Sequence, residues 1–156
     1  MENLIIRKAT MEDLETLRQF EQGVITAERP FDPTLKKGKT YYYDIEELIN
    51  SPSAELVVVE LEQKIVACGY AKIKDAKPYL EHRQYSYLGF MYVDTAHRGK
   101  GIIDKIIGAL KQWTISKNIT EMRLEVYCAN TSAIKAYEKA GFTSHMIEMR
   151  LDLTGE

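Results

Sequence analysis

The feature that most constrains the fold is a strand, a glycine-containing loop and a helix in immediate succession. Residues 85–93 form an aromatic and apolar run typical of a β-strand. The loop 94–101 follows, and it ends in Arg98-Gly99-Lys100-Gly101. Apolar residues then recur on one face of a helix, at Ile103, Ile106, Ile107, Leu110 and Trp113. Such a unit predicts a helix that packs back onto a sheet.

The loop itself has the chemistry of an anion site. Gly99 and Gly101 lack the Cβ atoms that would hold a phosphate away from the backbone. The first N–H groups of the following helix have no intrahelical acceptors and point towards an incoming anion. Arg98 and Lys100 add positive charge. The pattern is typical of a diphosphate site, although a flexible turn before a helix would show the same glycines.

Two better-known phosphate motifs do not fit this loop. A dinucleotide fingerprint would need a third glycine where Asp104 stands, on an opening βαβ unit rather than late in the chain. A nucleotide-triphosphate loop would need Lys-Ser or Lys-Thr, but Gly101 is followed by Ile102 and Ile103. Both classes are therefore disfavoured.

The rest of the chain predicts one mixed α/β domain spanning residues 1–156. Strands are expected at 4–7, at 122–127, at 146–153 and in a hairpin formed by 56–61 and 64–71. Helices are expected from residue 14, at 44–50 and at 130–140. Residues 28–40 are expected to form a loop. The hairpin turn, Glu62-Gln63, lacks the usual glycine or asparagine. The element order favours a mixed sheet covered by helices.

The composition limits the classes of partner and the cellular location that are expected. The formal net charge is -2, so no excess of positive charge favours nucleic acid or an anionic membrane. No apolar run is long enough to span a membrane and the amino terminus lacks a signal pattern, so a cytoplasmic protein is expected. Cys68 and Cys128 lie in apolar stretches and are interpreted as reduced core thiols, not a disulfide or metal site.

About thirty residues after the loop, the sequence 130–142 places Asn130 before a helix that carries Tyr137 and ends in Gly141-Phe142. Together with Arg98-Gly99-Lys100-Gly101, this resembles the GCN5-related N-acetyltransferase (GNAT) superfamily. The resemblance covers 85–142 most specifically. It implies a mixed, mostly antiparallel central sheet flanked by about four helices, and acetyl-coenzyme A as the acyl donor.

The resemblance also implies roles for individual residues. The main chain of Met91, Tyr92 and Val93 would contact the pantetheine arm. Arg98, Gly99, Lys100, Gly101, Ile102 and Ile103 would hold the pyrophosphate, and Asn130 and Ala133 would lie beside the cofactor. Tyr137 would contact the cofactor next to its sulfur and act as general acid. Without the family, Asn130 would be a helix N-cap and Tyr137 an ordinary half-buried aromatic.

Two departures from the family pattern affect the site. Ile103 stands where the family usually has glycine or alanine; we expect its side chain to face the core and leave its N–H free. The predicted fourth strand lacks the glutamate that related enzymes use as a base. Glu81 and His82, just upstream, are the candidate bases, although each would also fit a solvated loop.

Acceptor specificity is assigned to residues 28–44, which differ most from the family's common core. The aromatic triplet 41–43 lies among acidic residues that would favour a cationic amine: Glu28, Asp32, Asp44, Glu46 and Glu47. A solvated acidic face would show the same pattern. The sequence thus predicts an N-acetyltransferase for a small amine, a peptide amino terminus or a lysine, with direct attack; the alternative is a catalytically silent acyl-coenzyme A sensor. A homodimer is expected by resemblance only.

Overall fold

The computed structural model describes residues 3–155 of the chain. Its strands are β1 (Leu4–Lys8), β2 (Ala54–Leu61), β3 (Lys64–Asp75), β4 (Gln84–Val93) and β5 (Met122–Arg123). Its helices are α1 (Leu14–Glu28), α2 (Ile45–Asn50), α3 (Ile102–Ser116) and α4 (Thr131–Lys139). Short 3-10 turns precede α1, follow it, and follow β4.

The strands form one sheet in the order β1-β2-β3-β4-β5. The first four strands pair antiparallel with their neighbours, and β5 pairs parallel with β4. The prediction of a mixed, mostly antiparallel sheet with four flanking helices is confirmed.

Helices cover both faces of this sheet because successive strand residues point to opposite sides. Val58 and Cys68 face the cluster that Leu17 of α1 and Leu48 of α2 complete. Their neighbours face a second cluster built on α3, which contains Val57, Val59, Ala67, Ile106 and Leu110. The apolar face that the helical periodicity predicts is therefore the face that α3 buries.

The predicted hairpin is confirmed, and its turn is unusual. Glu62 and Gln63 connect β2 to β3 with φ of 51° and 66°. Positive φ at both central residues is the type I′ geometry that matches the twist of the strands, and Asn-Gly normally supplies it. The strand pairing, not the turn residues, therefore determines this hairpin.

The C-terminal part corrects two predictions. The strand expected at 122–127 is paired only at Met122 and Arg123. The strand expected at 146–153 belongs to no sheet in the described part of the chain. Cys68 is a buried free thiol as expected, but Cys128 is exposed, so that half of the core-thiol interpretation is wrong.

No helix within residues 3–155 is both long and apolar enough to cross a membrane. In the same residues, no three His, Cys, Asp or Glu side chains are grouped closely enough to hold a metal ion.

Candidate functional site

A gap opens in the sheet where β4 and β5 separate. The two strands pair only at Ser86 with Met122 and at Tyr87 with Arg123. Beyond Tyr87, no described residue of β5 is paired with β4. The remainder of β4, which includes the predicted contact residues Met91, Tyr92 and Val93, therefore keeps peptide groups free on the side facing the gap. An extended ligand can pair with free peptide groups of this kind as an added strand would.

A β-bulge lies at the same end of β4. Cys68 pairs with Tyr92 and Tyr70 pairs with Gly89, so Gly69 stands opposite two residues, Phe90 and Met91. Phe90 has φ of 55°, a left-handed conformation that few aromatic residues adopt. The bulge lies in the part of β4 that β5 leaves unpaired.

The glycine loop joins this end of β4 to the start of α3. Gly99 and Gly101 have φ of 78° and 77°, and a Cβ built on either would meet no atom within 4 Å. Gly101 is the N-cap of α3 and has no side chain to cap the first N–H groups. The Arg98 Nε donates a 2.9 Å hydrogen bond to the Val93 carbonyl, which fixes the loop against β4. The loop thus presents uncapped N–H groups beside the gap.

Ile102 and Ile103 begin the helix, and both pack into the core below it. Ile102 is 2% exposed, and Ile103 is half-buried against the same apolar cluster. This agrees with the expectation that the Ile103 side chain turns inward.

Helix α4 packs through Tyr137 against the cluster on the α3 side of the sheet. The Asn130 side chain accepts a 3.2 Å hydrogen bond from the Ala133 N–H, so the predicted N-cap is observed. Tyr137 is half-buried against the cluster that contains Val93 and Ile102, with its ring 6.1 Å from that of Phe142. Burial, followed by the charge of Glu28, raises the pKa of Tyr137. The phenol therefore keeps its proton at neutral pH.

Glu28, the last residue of α1, lies among tyrosines. Burial, the largest effect, and the charge of Asp32 raise the pKa of Glu28, whereas a contact with Tyr42 lowers it. The net result is a raised pKa. Its charge in turn raises the pKa of Tyr42, Tyr127 and Tyr137 behind the larger effect of burial. The Tyr42 hydroxyl is buried without a geometrically satisfied hydrogen bond among the described residues. The charge of Glu28 thus reaches Tyr137, and Glu28 contacts Tyr42.

Asp32 is held in a different way. It accepts hydrogen bonds from the Thr34 hydroxyl and N–H and from the Tyr127 hydroxyl, the last at 2.8 Å. These bonds, with the Arg150 guanidinium nearby, hold the pKa of Asp32 well below its usual range. Asp32 therefore stays ionised and serves as an anchor, whereas Glu28 can change its protonation state.

The structure places Glu81 and His82 elsewhere. Both precede β4, whereas Met91 to Val93 end it. The His82 Nε2 lies 2.8 Å from Glu121 and 3.2 Å from the Arg123 guanidinium, in a surface cluster, and Glu81 is exposed. The prediction that either residue is the base has no support in this arrangement.

The acidic residues assigned to acceptor specificity divide into two groups. Glu28 and Asp32 face the tyrosines near Tyr137, as described above. The other three lie around the exposed start of α2: Asp44 caps the helix, Glu46 pairs with Arg18, and Glu47 pairs with Lys72. Asp44 and Glu46 border a surface depression of about 680 Å³ that neither Tyr137 nor β4 lines, and Glu47 borders a smaller one beside it. Of the five, only Glu28 acts electrostatically on Tyr137.

Sequence reasoning missed some of the residues in this arrangement. Glu28 had been considered only for acceptor specificity, and Tyr127 only as part of a strand. Glu21, 2% exposed, accepts 2.7 Å hydrogen bonds from the N–H groups of Tyr42 and Tyr43 and so fixes the aromatic triplet. A glutamate at helical spacing from Leu17 and Val24 was the available signal for Glu21.

A family model described as the acetyltransferase (GNAT) family matches residues 21–142. A streptothricin acetyltransferase of Escherichia coli is 37% identical over 57 residues, which are 36% of this chain and 33% of that protein. The aligned part is thus about a third of the relative's length.

Solved structures share the fold over nearly the whole chain. The tetramutant of the BH1408 protein of Bacillus halodurans has a TM-score of 0.85 at 22% identity, covering 96% of this chain and 99% of that one. A predicted acetyltransferase of Clostridium acetobutylicum, crystallised with acetyl-CoA, has a TM-score of 0.72 at 20% identity, covering 98% of each chain. At these identities the likeness concerns the fold.

Proposed function

We propose that this chain, which belongs to the acetyltransferase (GNAT) family, transfers an acetyl group from acetyl-coenzyme A to a primary amine on a cationic acceptor. The observation that carries the proposal is the position of Tyr137: a proton-bearing phenol beside the same apolar cluster as the end of β4 and the start of α3. The acid, the open strand and the anion-binding loop are grouped at one end of the sheet.

The residues at the gap fit acetyl-coenzyme A. The free peptide groups of Met91 to Val93 suit the amides of a pantetheine arm, which can pair with a strand. The uncapped start of α3, with Arg98 and Lys100 in the loop before it, suits a diphosphate. Asn130 uses its side-chain oxygen as the N-cap and keeps its amide N–H groups for a ligand. When bound, acetyl-coenzyme A supplies a thioester whose carbonyl carbon accepts the amine.

Two side chains provide the proton transfers. The amine must be neutral to attack, and Glu28 is the candidate that takes its proton, directly or through water, because its raised pKa suits a base better than that of an ordinary carboxyl. As the amine nitrogen bonds to the acetyl carbon and the C–S bond breaks, the nitrogen would lose its second proton to water, and the Tyr137 hydroxyl would donate its proton to the departing sulfur and regain one from solvent. No acyl-enzyme is needed, and Cys68 is buried with its thiol 3.4 Å from the Phe90 carbonyl.

The acceptor class follows from the charges around Glu28. The charges of Glu28 and Asp32 act on the phenols of both Tyr42 and Tyr127, and the charge of Asp32 also acts on Glu28. A cation is attracted to carboxylates and to the faces of tyrosine rings. An amine that carries a second positive charge is therefore the preferred acceptor, and a neutral monoamine is a poorer one.

The test is an acetyl-transfer assay with acetyl-coenzyme A and a panel of amines matched in size but differing in charge, with release of free thiol as the readout. We expect turnover that is highest with dicationic amines. Cofactor-dependent thermal stabilisation without turnover would instead identify the silent sensor of the same fold, since ligand binding alone stabilises the folded state. Neither turnover nor stabilisation would reject both functions.

A further inference from the structure

Tyr92 is expected to contact the cofactor through its main chain, and its side chain packs against α1. The ring is half-buried against the cluster that contains Leu17 and Phe20. Its centroid lies 4.9 Å from that of Phe20, at an interplanar angle of 39°. One side of the Tyr92 ring is therefore supported by a helix that belongs neither to the glycine loop nor to the gap.

A glycine within α1 makes room for this ring. Gly23 lies inside the helix Leu14–Glu28, where glycine is less favourable than almost any other residue. A Cβ built on Gly23 would lie 2.7 Å from the Tyr92 hydroxyl oxygen and 2.8 Å from its Cζ. Because these distances are too short for a real Cβ, a larger residue at position 23 would displace the ring. Gly23 therefore sets how closely Tyr92 approaches α1.

The other neighbour of the Tyr92 ring is Arg98, in the loop that is proposed to hold the diphosphate. The Arg98 Cζ lies over the ring, 5.6 Å from its centroid, at a distance where a cation is attracted to an aromatic face. Its Nε donates a 2.9 Å hydrogen bond to the Val93 carbonyl, which is the only hydrogen bond of this side chain among residues 3–155. The terminal nitrogens of the guanidinium are left for a ligand.

These two contacts matter because Arg98 is exposed. An exposed arginine samples many rotamers, and the loss of that freedom opposes anion binding. A side chain that is already held in the free protein loses less on binding. The Val93 carbonyl fixes Nε, and the Tyr92 ring limits the rotation of the guanidinium about that bond.

We propose that Tyr92 is a positioning residue, whose ring, set by Gly23 of α1, holds the Arg98 guanidinium in place for the diphosphate of coenzyme A. The Tyr92 side chain acts on the cofactor only through Arg98. Helix α1 thus takes part in cofactor binding without touching the cofactor. This role rests on the proposed function, since it requires coenzyme A as the ligand.

The first test is a double-mutant cycle, with coenzyme A titrated into the whole chain in a calorimeter. Tyr92→Leu should weaken coenzyme A binding about 3- to 10-fold, because the aromatic face under the cation is lost. Arg98→Gln should weaken binding by about 10-fold or more, because a charge-assisted contact is lost. The double variant should bind no more weakly than Arg98→Gln alone. Effects of the two substitutions that multiply would overturn the proposal.

Two comparisons separate positioning from a loss of packing. Tyr92→Phe keeps the ring and should bind coenzyme A within about twofold of wild type. Tyr87→Leu is the matched control, because Tyr87 also lies on β4, packs against the same cluster and has the Lys74 Nζ 4.2 Å from its ring centroid. It should leave coenzyme A affinity unchanged. Failure of either expectation would show that the ring is needed for packing rather than for Arg98.

Pantetheine, which lacks the diphosphate, provides a further readout. Wild type and Tyr92→Leu should bind pantetheine equally, because Arg98 has no diphosphate to contact in that ligand. If Tyr92→Leu weakens pantetheine and coenzyme A to the same extent, Tyr92 shapes the gap and does not position Arg98.

The last test displaces the ring from the side of α1. Gly23→Ala should weaken coenzyme A binding about threefold, and it should have no further effect in a Tyr92→Leu background, where the ring is absent. This variant keeps every residue of β4 and the loop, so it tests the proposal even if Tyr92→Leu does not fold. Unchanged affinity in Gly23→Ala would contradict the proposal. A wild-type chain that binds no coenzyme A would refute the proposed function as well, whereas binding that is independent of Tyr92 would refute this role alone.

Discussion

The Tyr127 hydroxyl donates a 2.8 Å hydrogen bond to Asp32, a residue 95 positions earlier in the chain. The bond joins the segment after β5 to the loop after α1, and the guanidinium of Arg150 reaches the same carboxylate. Three segments distant in sequence therefore meet at one charge beside the candidate acceptor region. None of the three segments belongs to the β4–loop–α3 unit, so this contact holds together the acceptor region that lies outside that unit.

We expect this contact to make stability depend on pH in a defined direction. The bonds from Thr34 and Tyr127 lower the pKa of Asp32 in the folded state, so its contribution is complete above the ordinary aspartate pKa and is lost as pH falls towards the folded value. Asp32→Asn should therefore lower Tm at pH 7, and the difference from wild type should shrink near pH 3. A difference that is independent of pH would show that the carboxylate charge is not what stabilises the contact.

The bulge on β4 should depend on a glycine of β3. A Cβ on Gly69 would lie 2.5 Å from the Met91 sulfur and 2.8 Å from Cγ2 of Ile106. Gly69→Ala should destabilise the fold by about 1–3 kcal/mol through overpacking, and it should weaken coenzyme A binding by displacing Met91. The control is Gly108→Ala in α3, where a Cβ meets nothing within 4 Å and stability should rise by up to about 1 kcal/mol. Urea unfolding and coenzyme A titration measure both effects; equal stabilities of the two variants would contradict the packing argument.

Substitutions in the turn between β2 and β3 should increase the stability of the fold. Glu62 and Gln63 adopt positive φ without the residues that favour it. Replacing them by Asn and Gly should stabilise the fold by about 0.5–1 kcal/mol, because those residues adopt the type I′ turn with less strain. Activity should not change, since the turn contacts none of the site residues. Unchanged or reduced stability in urea would mean that the strand pairing already offsets the strain.

These elements show what the sequence could and could not predict. The helices, the β2–β3 hairpin and the Asn130 cap each follow from local periodicity or local backbone chemistry, and each is confirmed. The anion-binding role of the loop 94–101 stays a prediction. Residues 146–153 and the segment after Arg123 are also strand-like in sequence, but a strand needs a partner, and local pattern does not say which edge it joins. The same limit applied to the base, because Glu28 and Tyr137 are distant in sequence and only the folded chain brings Tyr137 within reach of the Glu28 charge.

Glu28 should control the acid side of the rate profile. Its raised pKa means that kcat/KM increases with pH as the carboxyl ionises, above the range of an ordinary glutamate. Glu28→Gln should remove this increase of kcat/KM with pH and lower kcat/KM by about 100-fold at neutral pH. Its Tm should not be reduced, because the substitution removes a partly buried charge. Glu138→Gln, at an exposed residue next to Tyr137, is the control. If kcat/KM of Glu28→Gln still increases with pH for the same amine, the increase arises from ionisation of the substrate.

The central claim is that Tyr137 donates a proton at the gap between β4 and β5, and its removal is the most direct test. Steady-state kinetics of Tyr137→Phe should show kcat lowered by about 100-fold or more, with the coenzyme A dissociation constant within about twofold of wild type, because only the proton donor is lost. Tyr41→Phe, at a tyrosine 65% exposed, should retain wild-type turnover. A Tyr137→Phe enzyme with wild-type kcat would contradict the account.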